Sequence, residues 1–186
     1  TGIAFGTVAG KRGDTTVEVT TYRTEQYDPE SRKPEVEYGD SIHGDLSRRD
    51  FTVNSMALEL TTDKPEFIDP FNGLQDLAAR ILRTPVRAGD SFNDDPLRMM
   101  RAARFASQLD FQIAPEVLTS MQDLAHRISI ISAERVRDEF IKIIMSPNPR
   151  IGITLLVDTG LADIVLPEIP KLRLEVDEHH HHKDVY

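Results

Sequence analysis

The spacing of apolar residues changes near Thr84, and this change constrains the fold more than any other feature of the chain. Before it, short apolar runs lie between turn residues, and Val17 and Val19 alternate with Glu18 and Thr20 as in a β-strand. After it, apolar residues recur at helical spacing between helix-starting and helix-ending residues. We therefore predict two packed units, an α+β front and an all-helical back.

Short, mixed elements are predicted for the front. A hairpin with its turn at residues 9–14 precedes a polar, Pro-containing stretch that is typical of a mobile loop. A helix, a turn over Asp69-Pro70-Phe71-Asn72-Gly73, a short helix and a strand follow. Apart from that turn, the predicted elements span residues 1–23, 27–40, 45–60, 74–80 and 81–83, in that order.

Proline and glycine mark the predicted starts and ends of the helices beyond Thr84. Asp95-Pro96 predicts a helix that runs to about Leu109, because proline fits the first helical position and Asp95 can cap the helix. Gly160 is suited to end the last long helix, since glycine adopts the left-handed conformation without strain. Further helices are predicted over residues 115–127, 133–145 and 149–159.

Charge and composition limit the possible partners. The net charge of −9 argues against a broad surface for nucleic acid, but residues 80–105 contain six arginines and only three aspartates. Such an arginine stretch suits a confined phosphate site, and a solvated helix face explains it equally well. The chain has no cysteine, which excludes disulfides and thiolate zinc sites. Without a long apolar run or a signal-peptide pattern, we expect a cytoplasmic protein that enters no membrane.

Residues 45–57 form a candidate nucleotide site. On the predicted helix, Asp50 and Asn54 lie one turn apart on the same face, where their side chains can hydrogen-bond a ribose. Arg49 beside them can hold phosphate oxygens. An exposed surface helix with Arg–Asp pairs is the alternative interpretation.

Three arginines recur at every third position of the helix that Asp95-Pro96 begins. Arg98, Arg101 and Arg104 lie within about 120° of one another on this helix, so their like charges repel unless an anion lies among them. The spacing therefore indicates a phosphate site along this helix.

Asp95 and Arg98 lie one helical turn apart and can together recognise a base. The carboxylate accepts from an exocyclic amine, and the guanidinium donates to a ring nitrogen or a carbonyl. Cytosine and adenine offer an amine beside a ring-nitrogen acceptor, whereas uracil and guanine offer a carbonyl beside an N–H. The pair can therefore accept C and A and reject U and G, since a wrong base leaves buried polar groups unpaired. Simple helix capping is the alternative for Asp95, and the two roles are compatible.

Together, these segments resemble bacterial CCA-adding tRNA nucleotidyltransferases and the related poly(A) polymerases. The similar segments, which follow the family's order and spacing, are residues 17–23, 48–57, 69–73, 94–105, 132–139 and 159–168. The resemblance implies a polymerase-β-like nucleotidyltransferase head that lacks its N-terminal catalytic strand. The head is followed by a helical neck with a nucleotide template and then by a helical body. The four consecutive histidines are similar to the start of an HD-type domain. The implied ranges are residues 1–83, 84–128, 129–178 and 179–186.

The resemblance also implies roles for the polar residues of these segments. In the head, Arg49 is similar to the family's nucleotide-binding arginine, with Asp50 and Asn54 as ribose-side partners. In the neck, Asp95 and Arg98 are similar to the residues that pair with the incoming base, and Arg101 and Arg104 to those that bind the triphosphate. Asp94 stands at the first template position, where the family usually has glutamate.

The implied reaction is attack of a tRNA 3′-hydroxyl on the α-phosphate of CTP or ATP, with Mg²⁺ and release of pyrophosphate. The family's Gly-Gly-x-Val-Arg-Asp loop and its metal-binding Asp-x-Asp pair do not occur in this sequence. We therefore assign no metal ligand in the chain and expect it to be inactive alone. Glu18 is the one candidate catalytic carboxylate, and a solvent-facing strand residue is the simpler interpretation. A poly(A) polymerase, or a non-catalytic nucleotide- or RNA-binding module, remains an alternative.

Overall fold

A computed structural model describes residues 7–26, 35–38, 41–61 and 63–172, with backbone alone for residues 23–26 and 35–38. The chain divides into two compact units, Thr1–Arg49 and Asp50–Tyr186. None of the described helices is long and apolar enough to span a lipid bilayer. The predicted domain boundaries after residues 83, 128 and 178 stay predictions, and the predicted start of an HD-type domain at residues 179–186 lies outside the described residues.

The first unit opens with the predicted hairpin, which is confirmed over its described residues. Strands β1 (Thr7–Arg12) and β2 (Thr15–Thr20) pair antiparallel, with Val8 opposite Val19. The predicted six-residue turn was too long, because the strands continue to a two-residue turn in which Gly13 has a positive φ of 60°. Except for half-buried Thr7, every residue of the two strands is exposed.

A second strand pair lies in the stretch that was predicted to be a loop. Strand β3 (Arg23–Gln26) pairs antiparallel with β4 (Glu35–Tyr38). The loop prediction is therefore wrong for residues 35–38. The period-two alternation of Glu35-Val36-Glu37-Tyr38 is the strand signal that the polar composition obscured. The other residues of that stretch, 27–34 and 39–40, lie outside the described part of the chain.

The predicted helix over residues 45–60 is wrong beyond its first turn. Helix α1 (Ile42–Ser47) starts at Ser41, whose hydroxyl accepts from the Gly44 N–H at 3.2 Å. From Thr52 to Asn54 the chain forms a 3₁₀ turn, and β5 (Ala57–Glu59) then pairs antiparallel with β6 (Glu66–Ile68). The Thr52 N–H donates to the Arg83 carbonyl at 2.8 Å, so a tertiary hydrogen bond replaces the helical one.

The turn at residues 69–73 is confirmed and starts helix α2 (Gly73–Ala79). The two carboxylate oxygens of Asp69 accept from the N–H groups of Gly73 and Leu74 at 2.7 and 2.9 Å. Gly73 packs so tightly that a Cβ atom would lie 2.2 Å from the Thr52 carbonyl oxygen. The helix and the 3₁₀ turn are thereby joined closely.

Helices make up most of the described chain beyond Thr84, as predicted. The predicted strand near residue 81 is confirmed as β7 (Ile81–Leu82), which pairs parallel with the unpredicted β8 (Gln112–Ile113). A second 3₁₀ segment, Ala125–Ile130, takes the place of the predicted end of α5. The helices are α3 (Ala88–Asp94), α4 (Leu97–Leu109), α5 (Pro115–Leu124), α6 (Ala133–Ile144), α7 (Pro149–Asp158), α8 (Leu161–Val165) and α9 (Glu168–Lys171). Of these, α3, α8 and α9 were not predicted.

Helix α4 is the centre of the core and packs against both α6 and α7. Its alanines at positions 102, 103 and 106 are fully buried, which lets the neighbouring helices approach closely. On α7, a Cβ atom at Gly152 would lie 2.3 Å from the Ser107 hydroxyl and 2.6 Å from an Ile143 methyl. The helix that carries the predicted base-selecting residues is therefore held on several sides.

Candidate functional site

Asp50 is buried and is the centre of a hydrogen-bond cluster in the second unit. Its Oδ1 accepts from the Phe51 N–H at 2.9 Å and from Asn54 Nδ2 at 3.1 Å. Its Oδ2 accepts from Arg101 Nε and Nη2 at 2.9 and 2.5 Å. Burial raises the pKa of Asp50, but the charge of Arg101 and the hydrogen bonds together hold that pKa below its ordinary value. The predicted residues 50, 54 and 101 are thus brought together, although no continuous helix carries the first two.

Arg101 has a second support on its own helix. Its guanidinium carbon lies 5.5 Å from the centre of the Phe105 ring, and this ring meets Phe51 edge-on with centroids 5.7 Å apart. A third of the Arg101 side chain stays exposed. The arginine is therefore fixed at its base and accessible at its outer surface.

Asp95 caps helix α4, as predicted. Its Oδ1 accepts from the Leu97 N–H at 3.1 Å, and its carbonyl accepts from the Arg98 N–H at 3.0 Å. Pro96 already has helical backbone angles, so Asp95 occupies the capping position in front of the first helical residue. Its Oδ2 faces Arg135 of α6, whose Nη2 lies 3.3 Å away. Both carboxylate oxygens therefore have partners.

Arg98 lies one turn further along α4 and is buried. Its Nη1 donates to the Ser91 hydroxyl at 2.7 Å and, more weakly, to the Ser91 carbonyl at 3.5 Å. Ser91 is a fully buried residue of α3, so two helices fix the guanidinium. Asp94 is the last residue of α3 and is exposed. The junction of α3 and α4 thus presents a carboxylate and a guanidinium from anchored positions.

Arg104 forms the third arginine cluster, with Glu139 of α6. Its Nε donates to Glu139 Oε2 at 2.6 Å, its Nη1 donates to Gln108, and its guanidinium stacks 4.0 Å from the Phe105 ring centre. Burial raises the pKa of Glu139, but Lys142 and Arg104 hold it below its ordinary value. Asp50 and Glu139 thus supply anions within the chain for Arg101 and Arg104, whereas Ser91, which holds Arg98, is neutral. The phosphate site along this helix stays a prediction.

The remaining two candidates lie in the first unit. Arg49 donates through Nη2 to Asp45 Oδ2 at 3.2 Å, and Arg48 donates to Asp45 Oδ1 at 2.6 Å. Burial raises the pKa of Asp45, but Arg48 and then Arg49 hold it below its ordinary value. Glu18 lies exposed on β2 opposite Ala9. Its catalytic role stays a prediction, as do the nucleotide-binding roles of the residues above.

The residues of these clusters that were not singled out from the sequence include Asp45, Ser91, Arg135 and Glu139. Arg135 and Glu139 lie in the segment 132–139 that carried part of the resemblance, so their sequence signal was present but not tied to any partner. Ser91 had no signal, because an isolated serine in an unpredicted helix is common.

The described carboxylates do not fit a metal site. Within the described residues, no three His, Cys, Asp or Glu side chains lie close enough to hold an ion. Asp45 and Glu139 instead direct both oxygens at arginines or lysine, and Asp50 directs one at Arg101 and the other at the Phe51 N–H and the Asn54 amide. These groups therefore neutralise and fix cationic side chains.

Sequence profiles of two families match the chain. One, described as the poly A polymerase head domain, matches residues 1–83. The other, described as the probable RNA and SrmB-binding site of polymerase A, matches residues 110–172. Together they leave out the α3–α4 segment, where the candidate base-selecting residues lie.

Curated relatives carry the name CCA-adding enzyme. The protein from Lactobacillus johnsonii is 39% identical over 174 residues, which are 93% of this chain and 42% of the relative. The protein from Streptococcus uberis is 42% identical over 158 residues, 84% of this chain and 38% of the relative. The chain thus spans about two fifths of the length of these relatives.

Solved structures show the same likeness. The Bacillus stearothermophilus CCA-adding enzyme in complex with CTP superposes with a TM-score of 0.76 at 35% identity, over 91% of this chain and 41% of that one. The Thermotoga maritima CCA-adding enzyme complexed with tRNA gives a TM-score of 0.71 at 28% identity, over 89% of this chain and 37% of that one.

Proposed function

Because the chain belongs to the family of poly(A) polymerase heads and CCA-adding enzymes, we propose that it is part of an enzyme that adds CCA to tRNA 3′ ends. The predicted fold class, an α+β nucleotidyltransferase head followed by helices, is confirmed by the likeness to the solved structures. The substrates that we propose are tRNA, CTP and ATP, and the relatives' structures with CTP, ATP and tRNA support this choice.

The observation that carries the proposal is the anchored pair of Asp95 and Arg98. Arg98 is buried against Ser91, so its guanidinium is held in a fixed position. Asp95 is fixed by its capping bond to Leu97. A carboxylate and a guanidinium held in this way can match the amine and ring nitrogen that cytosine and adenine share. Uracil and guanine would place a carbonyl against the carboxylate.

We propose the following roles for the other candidate residues. In the second unit, Asn54 and Asp50 bind the ribose, and in the first unit Arg49 binds phosphate oxygens. Arg101 binds the triphosphate through its exposed outer surface, whereas Arg104, with only 11% of its side chain exposed, supports α4. Asp94 lies at the edge of the base site.

The proposed reaction joins the tRNA 3′-hydroxyl to the α-phosphate of CTP or ATP and releases pyrophosphate. Enzymes of this family depend on metal ions in general, and we propose Mg²⁺ as the ion, which would neutralise the phosphates and the leaving group. The described side chains contribute positioning and charge rather than metal ligands. A tRNA substrate also favours action in the cytoplasm.

Product sequencing tests the proposal. The intact enzyme, given a tRNA without its 3′ CCA, should add two C residues from CTP alone and CCA from CTP with ATP. A long A tail from ATP alone would instead identify a poly(A) polymerase, which the name of the head profile favours. Binding of CTP without any extension would identify a non-catalytic module.

Substitution of Asp95 tests the base-selecting role directly. Asp95→Asn keeps a side chain that caps helices well, so stability should be retained. It removes the charge that repels the carbonyl of a wrong base, so the ratio of kcat/KM for CTP over UTP should fall by about one to two orders of magnitude. Asp95→Ala should lower the ratio as well and cost about 1 kcal/mol of stability through the lost cap. An unchanged ratio in both folded variants would reduce Asp95 to a cap.

A further inference from the structure

Arg135 holds the Asp95 carboxylate from a different helix. Its Nη2 lies 3.3 Å from Asp95 Oδ2, while the Leu97 N–H occupies Oδ1 at 3.1 Å. The two partners come from different directions, because Leu97 belongs to α4 itself and Arg135 to α6, 40 residues further along the chain. The Arg135 side chain is 54% exposed and that of Asp95 is 25% exposed, so the pair lies at the surface of the proposed base site.

Rejection of a wrong base requires a carboxylate that cannot move. When uracil or guanine places a carbonyl beside Asp95, two acceptors meet, and the repulsion can be relieved by rotating the side chain. A side chain held at one oxygen breaks a single hydrogen bond when it rotates to another staggered position. A side chain held at both oxygens must break both bonds before it can turn away. Discrimination therefore depends on the second bond as well as on the carboxylate itself.

We propose that Arg135 is a positioning residue for base selection, which acts by preventing Asp95 from turning away from a wrong base. The inference rests on the proposed function, because it assigns Arg135 to the same base site. Arg135 touches no nucleotide in this role, and its effect passes through Asp95. A carboxylate has free lone pairs besides those that Leu97 and Arg135 engage, so the amine of C or A can still be accepted while Arg135 stays in place.

A second arginine restrains the same junction. Arg127 Nη2 donates to the carbonyl of Asn93 at 3.1 Å, two residues before Asp95. Arg127 fixes the backbone that leads into the site, whereas Arg135 fixes the side chain. The α3–α4 junction is therefore held at its backbone by the 3₁₀ segment and at the Asp95 side chain by α6.

The test measures misincorporation by the intact enzyme with Arg135→Ala. The ratio of kcat/KM for CTP over UTP should fall by about tenfold, a part of the loss expected for Asp95 itself. The fall should come from faster UTP use, with kcat/KM for CTP changed by less than about threefold, because Asp95 still accepts from the amine. Arg135→Lys, which retains one charged donor, should restore part of the ratio.

Arg137→Ala is the matched control. Arg137 lies two residues further along α6, is 64% exposed and pairs with its neighbour Asp138 rather than with the α3–α4 junction. This variant should keep the wild-type ratio and a similar melting temperature.

Two results would overturn the inference. An unchanged CTP-to-UTP ratio in Arg135→Ala, including an equal fall for both nucleotides, would show that the ion pair has no share in selection. A wild-type enzyme that adds no C to tRNA would overturn the proposed function, and this inference with it. The wild-type reaction therefore separates the two failures.

Discussion

The two compact units of the chain bind their charged groups in opposite ways. In the first unit, Asp45 holds Arg48 and Arg49 from one helical turn away, and the guanidinium groups of both stay partly exposed. In the second unit, Asp50 and Glu139, which are as buried as Asp45, hold arginines that lie 51 and 35 residues away in sequence. The Asp45 pairs therefore act within one short segment, whereas the pairs of Asp50 and Glu139 join separate segments.

Apolar burial shows the same difference. The hairpin of the first unit leaves its valines exposed, whereas the core of the second unit runs through α3 to α8 around the fully buried face of α4. The position of each helix in this core is consequently set by contacts with several neighbouring helices. The residues that we propose to select the base lie in this unit, where a displaced helix would move them.

The largest effect is expected for Glu139→Ala. It leaves the guanidinium of Arg104 in a buried place with only Gln108 and the Phe105 ring as partners. The free energy of unfolding should fall by about 3 kcal/mol, at the lower end for a broken buried ion pair. Urea unfolding gives the value, and Asp138→Ala, which removes an exposed neighbour on the same helix, should change it by less than about 0.5 kcal/mol. Equal effects of the two variants would contradict the contrast between buried and exposed pairs.

A methyl group added at Gly152 tests the close packing of α4 and α7. In Gly152→Ala the new Cβ would overlap the Ser107 hydroxyl and an Ile143 methyl, so the protein should lose about 2 kcal/mol of stability. Gly10→Ala on β1 is the control, since no atom lies within 4 Å of a Cβ there. Its melting temperature should stay near that of the wild type. A stable Gly152→Ala variant would mean that the two helices can separate without cost.

Acidification tests Asp50. Its pKa is lowered in the folded protein, so its contribution to stability is complete above the unfolded pKa of about 4 and is lost as the pH falls through the folded value. Asp50→Asn should lose about 1.5 kcal/mol at neutral pH and should show a smaller further loss than the wild type between pH 5 and 2. Parallel pH profiles of the two proteins would show that Asp50 carries no such charge.

The smallest effect is expected for Asp45→Ala. Both arginines that pair with it stay partly exposed to water, so the loss should be about 0.5–1 kcal/mol despite the burial of the carboxylate. Added salt should reduce the difference from the wild type, since exposed pairs are screened. A loss as large as that of Glu139→Ala would remove the distinction between the two units.

The sequence predicted the elements whose signals are local. The cap at Asp95, the turn at residues 69–73 and the left-handed Gly160 follow from side chains that act on their own backbone, and all three are confirmed. The helix over residues 45–60 failed because its end depends on the tertiary bond between Thr52 and Arg83. The partners of the arginines could not be predicted either, since nothing in the local sequence pattern links Arg104 to Glu139.

The parallel pair of β7 and β8 closes the segment that holds α3 and α4. Ile81 pairs with Gln112, and the Ala114 N–H donates to the Leu82 carbonyl at 3.1 Å, which closes a loop of about 30 residues at a chain-entropy cost on the order of 3 kcal/mol. Helices form from contacts within a few residues, so we expect α3 and α4 to appear before this pair does. Contacts absent from the transition state govern unfolding rather than folding. Weakening β7 or β8 should therefore speed unfolding and leave the folding rate nearly unchanged.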